Sequence, residues 1–178
     1  MIRPATAADR PWLVGLGARA FAALGDYAAI LPAWLDQPHV MAWVAGAAEG
    51  RRGFVVLGCF AGDHPGEVVT DLLALAVEPA HRARGLGRAL LGHAIAETEA
   101  LRPRVAPARL VELRLAVADD NVIGQRLYRS AGFVVAPGDL GAYPGGQRAL
   151  RMVLALAATA PRQDAVARAV AGGAAAVR

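Results

Sequence analysis

The feature that most constrains this sequence is the run Leu72-Leu73-Ala74-Leu75-Ala76-Val77, stopped by Glu78-Pro79 and followed from Gly85 to Leu101 by a helical pattern. A short, continuous apolar run suits a central strand covered on both faces. Proline has no N–H for the ladder and ends it. In the helix, Leu86, Leu90 and Ala94 form one stripe, with Ile95 and Thr98 beside it. The spacing thus predicts a strand from Val68 to Val77, a loop, and a helix packed back on the sheet.

The rest of the chain supplies the neighbours. Ile2-Arg3 reads as a short strand ended by Pro4, and Thr6 or Asp9 caps a helix running to about Leu24. A second helical piece spans Tyr27 to Leu35. Val40 to Ala48 and Gly53 to Phe60 read as two antiparallel strands about the turn Glu49-Gly50-Arg51-Arg52. Pro103 and Pro107 mark a linker. Arg109 to Val117 alternates, with Leu113, Leu115 and Val117 on one face. Asn121 to Ala131 is a helix closed by Gly132, and Phe133 to Val135 and Ala149 to Leu156 are two last strands. The order β-α-α-β-β-β-α-β-α-β-β fits an α/β domain with a mixed sheet and helices on both faces. One domain is expected over 1–160, with an Ala-rich tail over 161–178 that is helical or mobile.

Composition narrows the function classes. Of 178 residues 56% are hydrophobic and only 19% charged, which excludes intrinsic disorder. A single cysteine, Cys59, excludes a disulfide scaffold and suits a reducing compartment. Arg19, Asp26 and Arg151 break the apolar stretches before they reach membrane-spanning length, and Met1-Ile2-Arg3-Pro4 lacks the layout of a signal peptide. A soluble cytoplasmic protein with no membrane partner is expected. All 19 basic residues are arginine, against 15 acids. This balance suggests a polyanion: nucleic acid, an acidic protein or a phosphorylated cofactor.

The loop Val77 to Arg88 favours the last of these. The first turn of a helix has backbone N–H groups without intrahelical acceptors and a partial positive charge. Gly85 and Gly87 allow close approach of an anion to that backbone, and Arg82, Arg84 and Arg88 add charge. The loop is neither a P-loop, since no Gly-Lys-Ser/Thr follows, nor a dinucleotide fingerprint, since G-x-G-x-x-G spacing is absent. No aromatic–basic interleaving of the RNA-binding kind occurs.

Arg82-Ala83-Arg84-Gly85-Leu86-Gly87 resembles the Q/R-x-x-G-x-G/A signature of the GNAT superfamily of acyl-CoA-dependent N-acyltransferases. Asn121-Val122-Ile123-Gly124-Gln125-Arg126-Leu127-Tyr128-Arg129-Ser130-Ala131-Gly132-Phe133 is similar to the family's N-x-x-A-x-x-L-Y-x-x-x-G-F segment, with Gly124 where alanine is usual. The resemblance spans about Ile2 to Leu156. It implies the GNAT fold, a mostly antiparallel sheet of six to seven strands, and acetyl transfer from acetyl-CoA to an amine acceptor by direct attack on the thioester. It implies that backbone amides of Arg82, Ala83, Arg84, Gly85, Leu86, Gly87 and Arg88 hold the diphosphate. Backbone groups of Leu75, Ala76 and Val77 would pair with the pantetheine arm, and Asn121 would bind it through its amide. Tyr128 would be the acid at the CoA sulfur, and a homodimer is compatible with it.

Asp71 is the candidate base. It alternates in phase with Leu73, Leu75 and Val77, so it would lie near the apolar end of the strand, where desolvation raises a carboxyl pKa. Glu67 and His64 are weaker candidates. In the branch that acetylates ribosomal-protein N-termini the base is a glutamate five residues before the motif asparagine; Ala116 stands there. Phe21, Tyr27, Trp34 and Tyr143 are expected to shape acceptor choice. Cys59 reads as a small buried hydrophobe and His93 as a solvated helix residue. No metal site is expected from one cysteine and four scattered histidines. The alternative function is a non-catalytic acyl-CoA sensor on the same fold.

Overall fold

The computed structural model describes residues 1–105 and 109–156. The expected tail over 161–178 and Pro107 of the expected linker lie outside the described residues. The strands are β1 (Ile2–Pro4), β2 (Val40–Ala45), β3 (Gly53–Ala61), β4 (Glu67–Val77), β5 (Arg109–Ala118), β6 (Val134–Val135) and β7 (Ala149–Ala155). The helices are α1 (Arg10–Ala20), α2 (Tyr27–Leu35), α3 (Leu86–Val105) and α4 (Val122–Ser130). The seven strands form one sheet in the order β1-β2-β3-β4-β5-β7-β6, antiparallel throughout except for β4 beside β5.

Each face of the sheet has its own core. On one face α3 and α4 bring Leu90, Leu91, Ala94 and Tyr128 onto Leu57, Leu72, Leu113, Leu115 and Met152. On the other, Leu13 and Leu16 of α1 and Leu31 of α2 cover Val44, Phe54, Val56, Ala74 and Ala76. Burying each such leucine contributes roughly 1.5–3 kcal/mol, so both layers stabilise the central strands between them. Gly17 sets the approach of α1 to α2: a Cβ there would collide with Leu31 Cδ1.

A charged cluster fixes the N-terminal edge. Asp9, whose side chain is 1% exposed, accepts from Arg3 Nη1 at 2.6 Å and Nη2 at 2.9 Å, from Arg51 Nε at 2.7 Å, and from the backbone and hydroxyl of Thr6, each at 2.8 Å. It ties β1, the turn before α1 and the β2–β3 connection together. The Arg3 guanidinium and the other donors hold its carboxyl far below the usual range, against the opposing effect of burial.

Three local expectations are corrected. The first helix ends at Ala20, not near Leu24, because Phe21 leaves the helical region and stacks on Tyr27 with ring centroids 4.6 Å apart. Helix α3 runs through Pro103 to Val105. The proline forfeits one intrahelical N–H bond close to the C-terminal end, and Leu101 anchors that turn on Leu110 and Leu156. The third concerns the phase of β4. Val56 pairs with Ala74 but Leu57 pairs with Leu72, so Leu73 is an extra residue, a β-bulge. Upstream of it Leu72 faces α3 and Asp71 faces α2; downstream Leu75 and Val77 face α3 while Ala74 and Ala76 face α1 and α2. Asp71 is therefore out of phase with Leu75 and Val77.

Candidate active site

The parallel ladder between β4 and β5 ends at the pair Leu72–Leu115, although β4 continues to Val77 and β5 to Ala118. Beyond that rung the β5-facing edge of Leu73 to Val77 has no strand partner. Two features converge on this opening, one on each face of the sheet.

On the α3 face lies Tyr128. Gln125 positions its helix, donating from Nε2 to the carbonyls of Ala118 at 3.1 Å and Asp119 at 2.9 Å, which ties α4 to the end of β5. The Tyr128 ring packs against Phe133 at 5.9 Å and is 9% exposed. Burial, helped by the nearby Tyr143 phenol, pushes its pKa up to about 12. Asn121 caps the same helix, its Oδ1 accepting from Gly124 N at 2.9 Å. A Cβ on Gly124 would lie 2.6 Å from Asn121 Nδ2, so the glycine leaves room for that amide.

On the α2 face a cleft of about 330 Å³ opens at the same rung. Tyr27 and Trp34, edge to face at 5.9 Å, wall it from α2; Leu140 and Tyr143 wall it from the β6–β7 connection. Burial, and then the Tyr27 phenol, raise Tyr143 to about 12. The sheet contributes Asp71, Arg114, Ala116 and Arg151. Leu72 and Leu115, the last rung, line the cleft and also belong to the core that holds Tyr128.

Asp71 sits opposite Arg114 in the ladder and is paired with it twice, Nε to Oδ1 at 2.8 Å and Nη2 to Oδ2 at 3.2 Å. Its side chain is 27% exposed. The desolvated carboxylate expected at the apolar end of β4 is thus a partly open, ion-paired one. Glu67 is bound by Arg109 at 2.7 Å, and neither it nor His64 lines the cleft.

The glycine loop lies at the end of β4. Ala83 and Gly85 have φ of +58° and +80°, the left-handed region, and nothing lies within 4 Å of where a Cβ on Gly85 would be. None of the backbone N–H groups from Ala83 to Arg88 meets an acceptor among the described residues. Free amides at the start of a twenty-residue helix make an anion cradle. Arg84 shares a shallow cleft with Gly85, Arg52 and His81, whereas Arg82 turns back and donates to the Val77 carbonyl at 3.0 Å. That carbonyl, expected to serve the pantetheine arm, already has a side-chain donor.

Comparison with known proteins identifies the family to which this fold belongs. The family model for the acetyltransferase (GNAT) domain matches residues 38–135, more than half of the chain. The chain belongs to the GNAT family. Over 106 residues it is 34% identical to N-alpha-acetyltransferase 40 of Saccharomyces cerevisiae, covering 56% of this chain but only 37% of that protein. The ribosomal-protein-S18-alanine N-acetyltransferase of Escherichia coli superposes with a TM-score of 0.71 at 24% identity, over 91% of this chain and 97% of that one. Arabidopsis thaliana NAA60 in complex with acetyl-CoA gives 0.70 at 16%, over 88% and 98%. At these identities the structures show a shared GNAT fold.

Of the residues singled out in the sequence, Tyr27, Trp34 and Tyr143 line the cleft, Tyr128 lies in the core beneath the last rung, and Asn121 caps its helix. Phe21 stacks behind Tyr27 without lining the cleft. His93 is not solvated: its ring lies edge-on to Trp43 at 5.5 Å. Cys59 is half-buried, and burial raises its thiol pKa. Arg114, Arg151, Arg52 and Gln125 were missed. Alternation in β5 put Arg114 on the face away from Leu113, but nothing local marks which strand lies opposite it. Among the described residues no three His, Cys, Asp or Glu side chains gather as metal ligands, and no helix is long and apolar enough to cross a membrane.

Proposed function

We propose that this GNAT protein transfers an acetyl group from acetyl-CoA to a primary amine held in the α2-face cleft. The observation that carries this reading is the opening after Leu72–Leu115, bordered by a buried phenol on one face and a carboxylate-containing cleft on the other. Acetyl-CoA supplies an activated thioester. In this reading the amides of residues 83–88 hold its diphosphate, with Arg84 and Arg88 adding charge, while the Arg82 amide is already bonded to the Pro79 carbonyl at 3.3 Å; the edge of Leu75 and Ala76 aligns the arm beside Asn121, and Val77 contributes less because its carbonyl is held by Arg82.

Each catalytic group has a task that its surroundings permit. An alkylammonium has a pKa of about 10.4 and must lose a proton before it attacks. Asp71 is the carboxylate lining the cleft, and it attracts and orients the ammonium. Arg114 already holds both its oxygens, so in this reading Asp71 orients the ammonium while the proton passes by way of water to solvent. Tyr128 remains a phenol at neutral pH and donates toward the sulfur. A thiol of ordinary pKa, about 8.5, is more acidic than a phenol near 12, so Tyr128 stabilises the departing thiolate by hydrogen bonding and completes transfer only with a proton returned from solvent.

One observation favours a second reading, a non-catalytic acyl-CoA sensor: Asp71 is neutralised by Arg114, and Ala116 occupies the position where a glutamate serves as base in a related branch. A panel of amines assayed for CoA thiol release separates the two. Release with any amine supports the transferase; tight acetyl-CoA binding without release across the panel supports the sensor. With one cysteine, the cytoplasm is the compartment we assign.

A further inference from the structure

The cleft on the α2 face holds two guanidinium groups and one lining carboxylate. Arg114 is satisfied by Asp71 at 2.8 Å, with Glu112 4.0 Å away. Arg151 is different. It stands opposite Ala116 in the β5–β7 ladder, two residues beyond Arg114 on the same face, and it is half-buried. Its side chain meets no carboxylate and donates no hydrogen bond among the described residues. A half-buried guanidinium beside apolar rings is costly to leave unmatched, and its planar fork fits a carboxylate with two parallel bonds.

Building on the transferase reading above, we propose that the acceptor is a small α-amino acid with an apolar side chain. Its carboxylate pairs with Arg151, its amine lies toward Asp71 and the strand opening, and its side chain lies between Tyr27, Trp34 and Tyr143. The backbone positions of Asp71 and Arg151 are separated by two strand spacings, about 10 Å, and by two residues along the strand, about 7 Å. A short aspartate and a long arginine reach inward from these positions and leave room for one small zwitterion. The charge agrees: a single unmatched guanidinium calls for one negative charge, whereas a phosphate dianion would set an excess charge beside Asp71. The cleft, at about 330 Å³, is at the lower end of small-molecule sites.

The test compares six apolar α-amino acids, phenylalanine and leucine among them, each with its decarboxylated amine, for example phenethylamine. Two readouts are taken: CoA thiol release with acetyl-CoA, and direct binding by calorimetry in the presence of CoA. The amino acids are expected to be preferred over their amines by roughly 10- to 100-fold, the range of a charge-assisted pair. Arg151→Gln brings the ratio near unity, and Arg151→Lys leaves an intermediate ratio. The CoA affinity of both variants, set at the distant loop, checks that they are folded. The proposal is overturned if no amino acid outperforms its amine, or if the preference survives Arg151→Gln. It is also overturned if Phe-Asp-amide, an amine with a side-chain carboxylate only, shows the Arg151 dependence that phenylalanine lacks. Binding preference without thiol release would sink the transferase reading and the acceptor role with it, leaving only an apolar amino acid held by Arg151 as a ligand.

Discussion

At the scale of single residues, two positions carry the proposed chemistry. Tyr128 is buried within a core, which raises its phenol pKa; Asp71 is partly open and paired with Arg114. Tyr128→Phe removes the donor at little cost in packing. The expected result is a kcat lowered by roughly 100-fold or more, with acetyl-CoA affinity within a few-fold of wild type, read by steady-state kinetics and calorimetry. Undiminished turnover would move the donor role to Tyr143, whose phenol is near enough to influence Tyr128. Gly124→Ala is a finer probe. Alanine gains about 1 kcal/mol of helix propensity, while displacement of the Asn121 cap loses about as much. Stability should stay within about 1 kcal/mol, and a change in acetyl-CoA affinity would then report the Asn121 amide itself. The motif exposed both residues in the sequence. The Asp71–Arg114 pair stayed hidden because it joins strands whose register depends on a bulge.

At the scale of elements, conformation is what the loop and the edge cluster have in common. Gly85 takes a left-handed conformation that an L side chain adopts at a cost of about 1–3 kcal/mol. Gly85→Ala is therefore expected to weaken acetyl-CoA binding about tenfold or more by rotating the free amides, as calorimetry would show; unchanged affinity would place the diphosphate elsewhere. Asp9 gives a second case. Its folded-state pKa lies far below the roughly 3.9 of an unfolded aspartate, so its contribution is complete above about pH 5 and declines as pH falls. Asp9→Asn leaves two arginines facing a neutral amide and should cost about 3 kcal/mol or more at pH 7. The deficit should shrink in urea melts at lower pH, and a pH-independent deficit would contradict the pairing. Strand and helix identities were legible from periodicity. Their ends were less so, because Phe21 and Leu101 answer to tertiary partners, Tyr27 and Leu110, that no local pattern names.

At the scale of the whole molecule, the two cores flank the two proposed binding regions, which meet at one rung of the sheet. A ligand that binds the folded state alone at a hundred times its Kd adds about 2.7 kcal/mol, or about 5–10 °C in Tm for a chain of this length. Acetyl-CoA should give that shift in a thermal melt, and Gly85→Ala should reduce it. The arginine excess that marks the sequence proves dispersed: Arg3 and Arg51 serve structure, Arg114 the cleft, Arg84 the loop. Composition could suggest a polyanion but not this division of labour. The bulge at Leu73 has one more consequence. It inverts which side of β4 each later residue shows, so a single-residue deletion there would turn every downstream side chain to the opposite layer. Natural variation in what the cleft accepts should therefore be written in α2, in β7 and in the connection bearing Tyr143, while the length of β4 stays frozen.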